Sequence, residues 1–375
     1  MSPRYTAKML LLLPTLLACR PADLTVANVT DLGPLPTTTS VKGRDGGYSA
    51  GFDGRTVWLY GDTILSLAGE DGSSWRDNSW SSSLDLDGSD GLDGFEEPVD
   101  ALGAPVEFFP ETEDERVYNE AHRDVDLDGD GASDCEAPCG GREVLWPKAM
   151  VTGPDGDALI FYVKIHGEPG AWNFYNRGTG IATWASFDAA VERPEPGVVA
   201  DDPTLLWGAD EIGPGDAALV HDGAVYAYAC DDPDGWGKPC SVSRAAFSDA
   251  LDRDAWEYWS GDEWTSDPTD ARTLFEGSPQ LSVSWNPALE RFVAVYDALG
   301  TVEFRTALAP EGPWSAPVEA FDTEPPPDAD GFTYCGMAHA ELQEQNGFVQ
   351  YVSYYRGTGD WTGEIRLVRV ELEAR

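Results

Sequence analysis

The stretch RDGGYSAGFDGRTVWLYGDT, residues 44–63, has the pattern of two β-strands joined by a tight turn. Its central dipeptide, Asp-Gly at 53–54, readily adopts the positive φ angles of a two-residue type I′ turn, and aromatic and β-branched residues flank it. Counting outward from this turn in ideal register places Asp45 opposite Asp62, with Cβ atoms about 4.5–5.5 Å apart. A bulge at the two glycines 46–47 would shift that register by one residue.

The facing of Asp45 and Asp62 needs an explanation, because like charges directly opposed on a hairpin are destabilising. Paired carboxylates carry out acid–base or nucleophilic chemistry on glycosidic bonds, so we predict that this pair is catalytic. The alternative is structural: one aspartate caps a turn while the other pairs with Arg44 or Lys42. The register gives only a Cβ spacing, so it does not separate a retaining from an inverting reaction.

The same kind of hairpin recurs along the chain, and a third strand candidate follows each copy. Such a repeat predicts an all-β fold, a five-bladed β-propeller with antiparallel three- to four-stranded blades over residues 40–374, with an acidic insertion at about 86–142. A β-sandwich with many hairpins is the alternative, but the constant order of hairpin and third strand favours the propeller. The copies are YSAGFDGRTVWLYGD (48–62), AMVTGPDGDALIFYV (149–163), AALVHDGAVYAYAC (217–230), LSVSWNPALERFVAVYDA (281–298) and AELQEQNGFVQYVSYY (340–355).

The charge balance narrows the class of partner. The chain has 24 Lys and Arg against 67 Asp and Glu, a net charge of −43. Such a field repels phosphate backbones, so we expect no nucleic-acid partner. It suits divalent cations and neutral substrates such as sugars. Together with the carboxylate pair, this favours a polysaccharide substrate. We also expect a monomeric protein.

The N-terminus has the features of an export signal. Arg4 and Lys8 precede an apolar run at 9–18 that is too short to span a bilayer. The run ends in LLAC, which resembles a bacterial lipobox with Cys19 as the lipidated residue. We predict a signal peptide over 1–19, a tether over 20–39 and a lipid anchor in the bacterial cell envelope. An ordinary secretory signal with a chance cysteine is the alternative.

Cysteines in an exported chain are expected to form disulfides. Cys230 and Cys240 flank a short polar loop and are the favoured pair. Cys135 and Cys139 could close an Asp-rich loop, which leaves Cys335 over.

That Asp-rich loop, DVDLDGDGASDCEAPC at 124–139, has the spacing of a calcium loop. Its twelfth position is Ala137 rather than glutamate, so it is not an EF-hand. We expect a structural calcium site and no organic cofactor; a solvated acidic loop is the alternative. The candidate ligands are Asp126, Asp128, Asp130 and Asp134.

Asp45 lies a fixed number of residues before the turn of the first hairpin. The corresponding positions in the other copies hold further polar and aromatic residues. Inner strands of a propeller converge around its axis, so these side chains should meet at one face of the channel and suit a polyol ligand. A lone histidine such as His339 is more often a core residue with satisfied hydrogen bonds. The set is Trp146, Lys148, Asp216, Gln280, Tyr334 and His339.

The segments VWLYGDT (57–63), WPKAM (146–150), AHAEL (338–342) and VSYY (352–355) resemble the arabinanase-type five-bladed propeller glycosidases, most closely the endo-D-arabinanase family. This resemblance implies hydrolysis of furanoside linkages at the mouth of the channel, by Asp45 and Asp62 with Asp216 as a third acid. The broader arabinanase-like group usually has a glutamate where this chain has Asp216. A non-catalytic propeller lipoprotein that binds glycan or protein is the second hypothesis.

Overall fold

The structure, a computed structural model, is all-β and forms a five-bladed β-propeller, as the repeat predicts. Five antiparallel sheets form the blades, and the inner strands of neighbouring blades contact each other in a ring around a central channel. The described residues are 24–122, 140–168, 173–230, 238–328, 331–359 and 362–374.

The first two blades follow the N-terminal strand of the chain. That strand is β1 (Leu24–Pro34). The first blade contains β2 (Val41–Phe52), β3 (Arg55–Leu65), β4 (Trp75–Arg76) and β5 (Ser79–Ser83). The second blade contains β6 (Arg142–Thr152), β7 (Ala158–Gly167), β8 (Phe174–Trp184) and β9 (Trp207–Gly208).

The remaining blades complete the ring. The third contains β10 (Ala217–His221), β11 (Ala224–Cys230), β12 (Pro239–Ala246), β13 (Glu257–Trp259), β14 (Trp264–Thr265) and β15 (Phe275–Glu276). The fourth contains β16 (Leu281–Asn286), β17 (Arg291–Asp297), β18 (Thr301–Ala307) and β19 (Val318–Asp322). The fifth contains β20 (Thr333–Ala338), β21 (Val349–Gly359) and β22 (Thr362–Ala374).

The fifth blade is completed by the opposite end of the described chain. Strand β1 pairs antiparallel with β22, so the first and last strands share one sheet. Residues 24–34 therefore belong to the propeller, whereas the sequence predicts them as part of a tether. The apolar residues of β1 were too few to identify it as a strand, and its pairing depends on a partner more than 300 residues away.

The predicted type I′ turns occur in two of the hairpins. Residues 53–54 have φ angles of 48° and 75°, and residues 222–223 have 49° and 79°. The second hairpin closes through a wider loop in which Gly156, with φ of 90°, is left-handed. In the fifth copy the inner strand lies earlier than predicted, because 3₁₀ turns at Ala340–Leu342 and Gln345–Gly347 replace a two-residue turn. Further 3₁₀ turns are Phe247–Asp249, Arg253–Ala255 and Pro268–Asp270.

Aromatic side chains fill the spaces between neighbouring blades. Phe52 of the first blade packs on Trp184 of the second, with ring centroids 4.6 Å apart, and both are almost fully buried. Phe161 and Trp256 make the corresponding contact between the second and third blades at 6.2 Å. Such aromatic pairs contribute about 0.5–1.5 kcal/mol beyond their buried area. The blades therefore form a rigid support for the channel mouth.

The insertion contains an α-helix, α1 (Glu113–His122), that the sequence interpretation missed. Its N-terminus is a capping box: the Thr112 N–H donates to Glu115 Oε2 (2.7 Å) and the Glu115 N–H donates to Thr112 Oγ1 (3.3 Å). Glu115 is buried and forms ion pairs with Arg193 (2.6 Å) and Lys164 (2.7 Å). The sequence TEDE at 112–115 matches the capping-box pattern and would have predicted the start of this helix.

The predicted disulfide between Cys230 and Cys240 is present, and the two residues lie directly opposite each other on β11 and β12. Cys335 is a buried free cysteine. No helix in the described part of the chain is long and apolar enough to cross a membrane. Other predicted residues lie outside the described ones: Cys19, Asp126, Asp128, Asp130, Asp134, Cys135 and Cys139.

Candidate active site

A cavity of about 360 Å³ lies at one end of the channel, lined mainly by the first, second and fifth blades. It lies where β2 begins and β3 ends, at the side of the first blade that carries Asp45 and Asp62. Five of the residues predicted from the hairpin offset line it: Asp45, Asp62, Trp146, Gln280 and Tyr334. The cavity is therefore the place where the predicted catalytic and substrate-binding residues come together.

The first hairpin has the anticipated bulges next to Asp45. Arg44 pairs with Thr63 and Gly46 with Tyr60, so the register shifts on both sides of Gly46. The carboxylate of Asp45 then accepts a hydrogen bond from the backbone N–H of Asp62. A Cβ atom on Gly61 would lie 2.4 Å from Asp45 Oδ1, so only glycine leaves room for this carboxylate.

Asp45 is held by a hydroxyl group from the fifth blade. The Tyr334 hydroxyl donates to Asp45 Oδ2 at 2.5 Å. Burial raises the pKa of Asp45 to about 6, and the bonds from Tyr334 and from the Asp62 N–H oppose that rise by stabilising the ionised form. Asp45 is thus ionised over much of the neutral range.

Asp62 is oriented by two indoles that converge on a single oxygen. Trp75 Nε1 and Trp146 Nε1 donate to Asp62 Oδ1 at 3.1 Å and 3.2 Å. Burial and the charge of Asp45 raise the pKa of Asp62 to about 8, and the positive charge of Arg142 opposes this. Asp62 therefore holds a proton more strongly than Asp45, because one carboxylate is already charged beside it.

Arg142 connects the pair to a further acidic group. Its Nη1 lies 3.1 Å from Asp77 Oδ1 and its Nη2 lies 3.9 Å from Asp62 Oδ1. The guanidinium also lies 5.2 Å from the centroid of the Trp75 ring. Burial raises the pKa of Asp77, whose N–H donates to Glu107 at 3.0 Å. The end of the insertion thus supplies a cation to a site dominated by carboxylates.

The structure separates two of the predicted site residues from the cavity. Lys148 Nζ lies 3.0 Å from Asp216 Oδ1 and donates to the Gly213 carbonyl at 3.1 Å. Asp216 is 4% exposed and accepts a hydrogen bond from the Cys230 N–H at 2.7 Å. Neither Asp216 nor Lys148 lines the cavity, so the predictions of a third acid and of a substrate ligand do not fit this geometry.

His339 is a core residue rather than a substrate ligand. Its side chain is almost fully buried, with Nδ1 hydrogen-bonded to Ser49 Oγ (2.6 Å) and Nε2 to Ser353 Oγ (2.8 Å). The imidazole packs on Trp58 with centroids 4.2 Å apart. His339 was predicted as a site residue because the sequence does not show where its strand ends. In the structure β20 ends one residue earlier, at Ala338.

Burial lowers the pKa of His339 to about 3, which predicts an acid-sensitive contribution to folding. The unfolded chain takes up a proton near pH 6.5 while the folded chain does not, so stability is lost as the pH falls from about 6.5 to about 3. The total is about 5 kcal/mol. Denaturant unfolding of wild type and His339→Gln across this range should show a steeper decline in wild type. Parallel pH profiles of the two proteins would contradict this contribution of His339. The buried carboxyls are common to both proteins, so their effect on stability cancels in the comparison.

Several lining residues were missed by the sequence interpretation. Trp75 and Arg142 do not occupy the position in the repeated hairpin that was used to select site residues. Only their contacts with Asp62 identify them. Phe174, Phe332 and Tyr355 also line the cavity. Exposed aromatic residues that begin or precede a strand carry no pattern that separates them from core positions.

A family described as a domain of unknown function (DUF4185) matches residues 171–356 of the chain. No curated protein matches the chain in sequence. The matched region covers the later blades and excludes the hairpin that carries Asp45 and Asp62.

Solved structures share the propeller fold at low sequence identity. A "putative hydrolase" from Bacteroides ovatus ATCC 8483 has a TM-score of 0.59 and 16% identity, over 90% of this chain and 86% of that one. A Dyadobacter fermentans DSM 18053 protein of unknown function has a TM-score of 0.50 and 10% identity, over 93% and 99%. The catalytic domain of a Coprinopsis cinerea GH62 α-L-arabinofuranosidase has a TM-score of 0.45 and 13% identity, over 92% of this chain and 97% of that one. The first two similarities show the fold alone.

Proposed function

We propose that this protein is a surface-anchored glycoside hydrolase that cleaves a furanoside, arabinan-like polysaccharide. The observation that carries the proposal is the carboxyl pair of Asp45 and Asp62 in one cavity, with different environments for the two groups. The hydrolase name of the Bacteroides ovatus protein agrees with this chemistry. The furanoside preference and the anchor at Cys19 rest on the sequence resemblances.

The contacts of the pair favour different roles for its members. The two indole bonds to Asp62 Oδ1 suit the carbonyl oxygen of a neutral carboxylic acid, which leaves Oδ2 to carry the proton. Asp62 would give that proton to the departing glycosidic oxygen. Asp45, the ionised partner, would then either attack the anomeric carbon or remove a proton from an attacking water.

The direct experiment is incubation of the purified protein with a panel of neutral furanoside polysaccharides, followed by chromatography of the products. Release of oligosaccharides from at least one of these polymers is expected. If none is degraded, the hydrolase proposal fails.

The pH dependence of cleavage tests the assignment of roles. Because Asp45 must be ionised and Asp62 protonated, kcat/KM should be bell-shaped with limbs near pH about 6 and about 8. In Tyr334→Phe the pKa of Asp45 loses the hydroxyl bond that lowers it, so the acidic limb should move up by about one pH unit. The alkaline limb serves as the internal control. An acidic limb that does not move would contradict the role of Asp45 as the ionised group.

A non-catalytic propeller lipoprotein that binds glycan or protein is the second candidate. The observation that favours it is the ion pair between Lys148 and Asp216: among the described residues, no acid of the third blade lines the cavity. Glycan binding without product release, unaffected by Asp45→Asn, is the result expected from this alternative.

A further inference from the structure

Aromatic side chains border the carboxyl pair on the second blade. Trp146 of β6 and Phe174 of β8 both line the cavity, with ring centroids 5.3 Å apart and planes at 80°. Phe174 is 45% exposed at the start of β8, where it pairs with Gly167 of β7. An aromatic ring kept in solvent at the edge of a concave site is available to a ligand.

A second aromatic group borders the pair on the fifth blade. Tyr334 packs on Phe332 at 5.3 Å and on Tyr355 at 4.8 Å, and all three line the cavity. Phe332 is 50% exposed. This group therefore repeats the arrangement of the second blade, with a partly buried ring hydrogen-bonded to a carboxyl group and an exposed ring beside it.

The two groups lie on opposite sides of the carboxyl pair. The first blade carries Asp45 and Asp62, and its inner strand contacts both β6 and β20, which belong to its two neighbours in the ring. Trp146 donates to Asp62, whereas Tyr334 donates to Asp45. A path from Phe332 to Phe174 thus passes over both catalytic carboxyls.

The charges of the cavity favour a neutral ligand. Two guanidinium groups line it, and both are engaged: Arg44 with Glu97, and Arg142 with Asp77. The other carboxyl groups of the described lining are Asp45, which is ionised, Asp62, which holds a proton, and Glu168. An anionic sugar would meet like charge, whereas the apolar C–H face of a neutral sugar can stack on an aromatic ring.

We propose that the Trp146–Phe174 and Phe332–Tyr334–Tyr355 groups are two sugar-stacking platforms, which hold a neutral oligosaccharide across the first blade with its scissile linkage over Asp45 and Asp62. The inference rests on the proposed function and adds to it the direction of the glycan and the ring-stacking subsites on each side. A chain of several sugars, rather than a single terminal one, would engage both platforms.

The test is calorimetric titration of Asp62→Asn, which slows turnover of unactivated sugars, with neutral furanoside oligosaccharides of increasing length. Phe174→Ala and Phe332→Ala are each expected to weaken binding of the long oligosaccharides about tenfold. The double variant should bind long and short ligands with similar affinity. Tyr175→Ala is the matched control, because Tyr175 is 50% exposed on the same strand but packs on His166 and does not line the cavity. Oligogalacturonates of the same lengths serve as anionic ligands for comparison, and they are expected to bind more weakly than the neutral series.

The proposal is overturned if both platform variants bind the long oligosaccharides as tightly as their parent, or if the anionic series binds equally well. Absence of binding to every neutral oligosaccharide also overturns it. Failure of the proposed function looks different: the wild-type protein releases no product, while loss of affinity in Phe174→Ala and Phe332→Ala still supports the platforms. Hydrolysis by the wild-type protein, together with unchanged affinities in both platform variants, refutes the platforms alone.

Discussion

Replacing Asp45 or Asp62 with asparagine is expected to lower the rate of polysaccharide cleavage by about 10²–10⁴-fold, because each variant removes one member of the acid–base pair. The measurement is the initial rate of reducing-end release at the pH optimum. The two variants should differ on an aryl furanoside with a good leaving group, since such a substrate needs little protonation. Asp62→Asn should then recover much of its rate, whereas Asp45→Asn should not.

Asp222→Asn is the control for this pair of variants. Asp222 has φ of 49°, a conformation that asparagine adopts readily, and it lies in a hairpin turn remote from the cavity lining. It should keep the wild-type rate. Full activity in both Asp45→Asn and Asp62→Asn would refute the catalytic assignment, and equal rates of the two on the aryl substrate would refute the division of roles.

Arg44→Met is expected to reduce the free energy of unfolding by about 3–5 kcal/mol, because it leaves the buried carboxylate of Glu97 without its cation. The two side chains are each 3% exposed and form an ion pair that joins the first hairpin to the insertion. The Arg44 guanidinium also lies 3.5 Å from the centroid of the Tyr60 ring. Denaturant unfolding, followed by tryptophan fluorescence, measures the loss.

The chain offers a matched comparison for this ion pair. Arg55 and Glu96 form a pair 2.7 Å apart on the same two segments, but their side chains are 21% and 67% exposed. Arg55→Met should therefore cost less than about 1 kcal/mol. The double variant Arg44→Met/Glu97→Leu should regain most of the loss, because no buried charge is left unpaired. A cost for Arg44→Met no larger than that for Arg55→Met would contradict the assignment.

The first hairpin shows how far sequence reasoning reaches. Residues 53–54 could form few other turns, so the strand pairing and the neighbourhood of Asp45 and Asp62 followed from local rules. The bulge at 46–47 was anticipated from its glycines. The groups that contact each carboxyl were not anticipated, because Trp75 lies in a short outer strand and Arg142 lies at the end of the insertion.

The later blades show why the same offset fails elsewhere. It selected Asp216 and His339 by counting positions, but their chemistry depends on partners that are distant in sequence. Lys148 neutralises Asp216, and Ser49 with Ser353 satisfies His339. Counting residues along a strand predicts which face of the sheet a side chain lies on. Whether that side chain is accessible to a ligand depends on the packing between blades.

The pairing of β1 with β22 limits how far the protein could extend from a membrane. Since β1 includes Leu24, a lipid on Cys19 would be joined to that residue by five residue steps rather than by the twenty residues of the predicted tether. A fully extended chain of that length spans at most about 18 Å, at roughly 3.3–3.6 Å per residue. An anchored molecule would work as a surface-bound enzyme with a short radius of action, and its polymer substrate would have to come to the envelope.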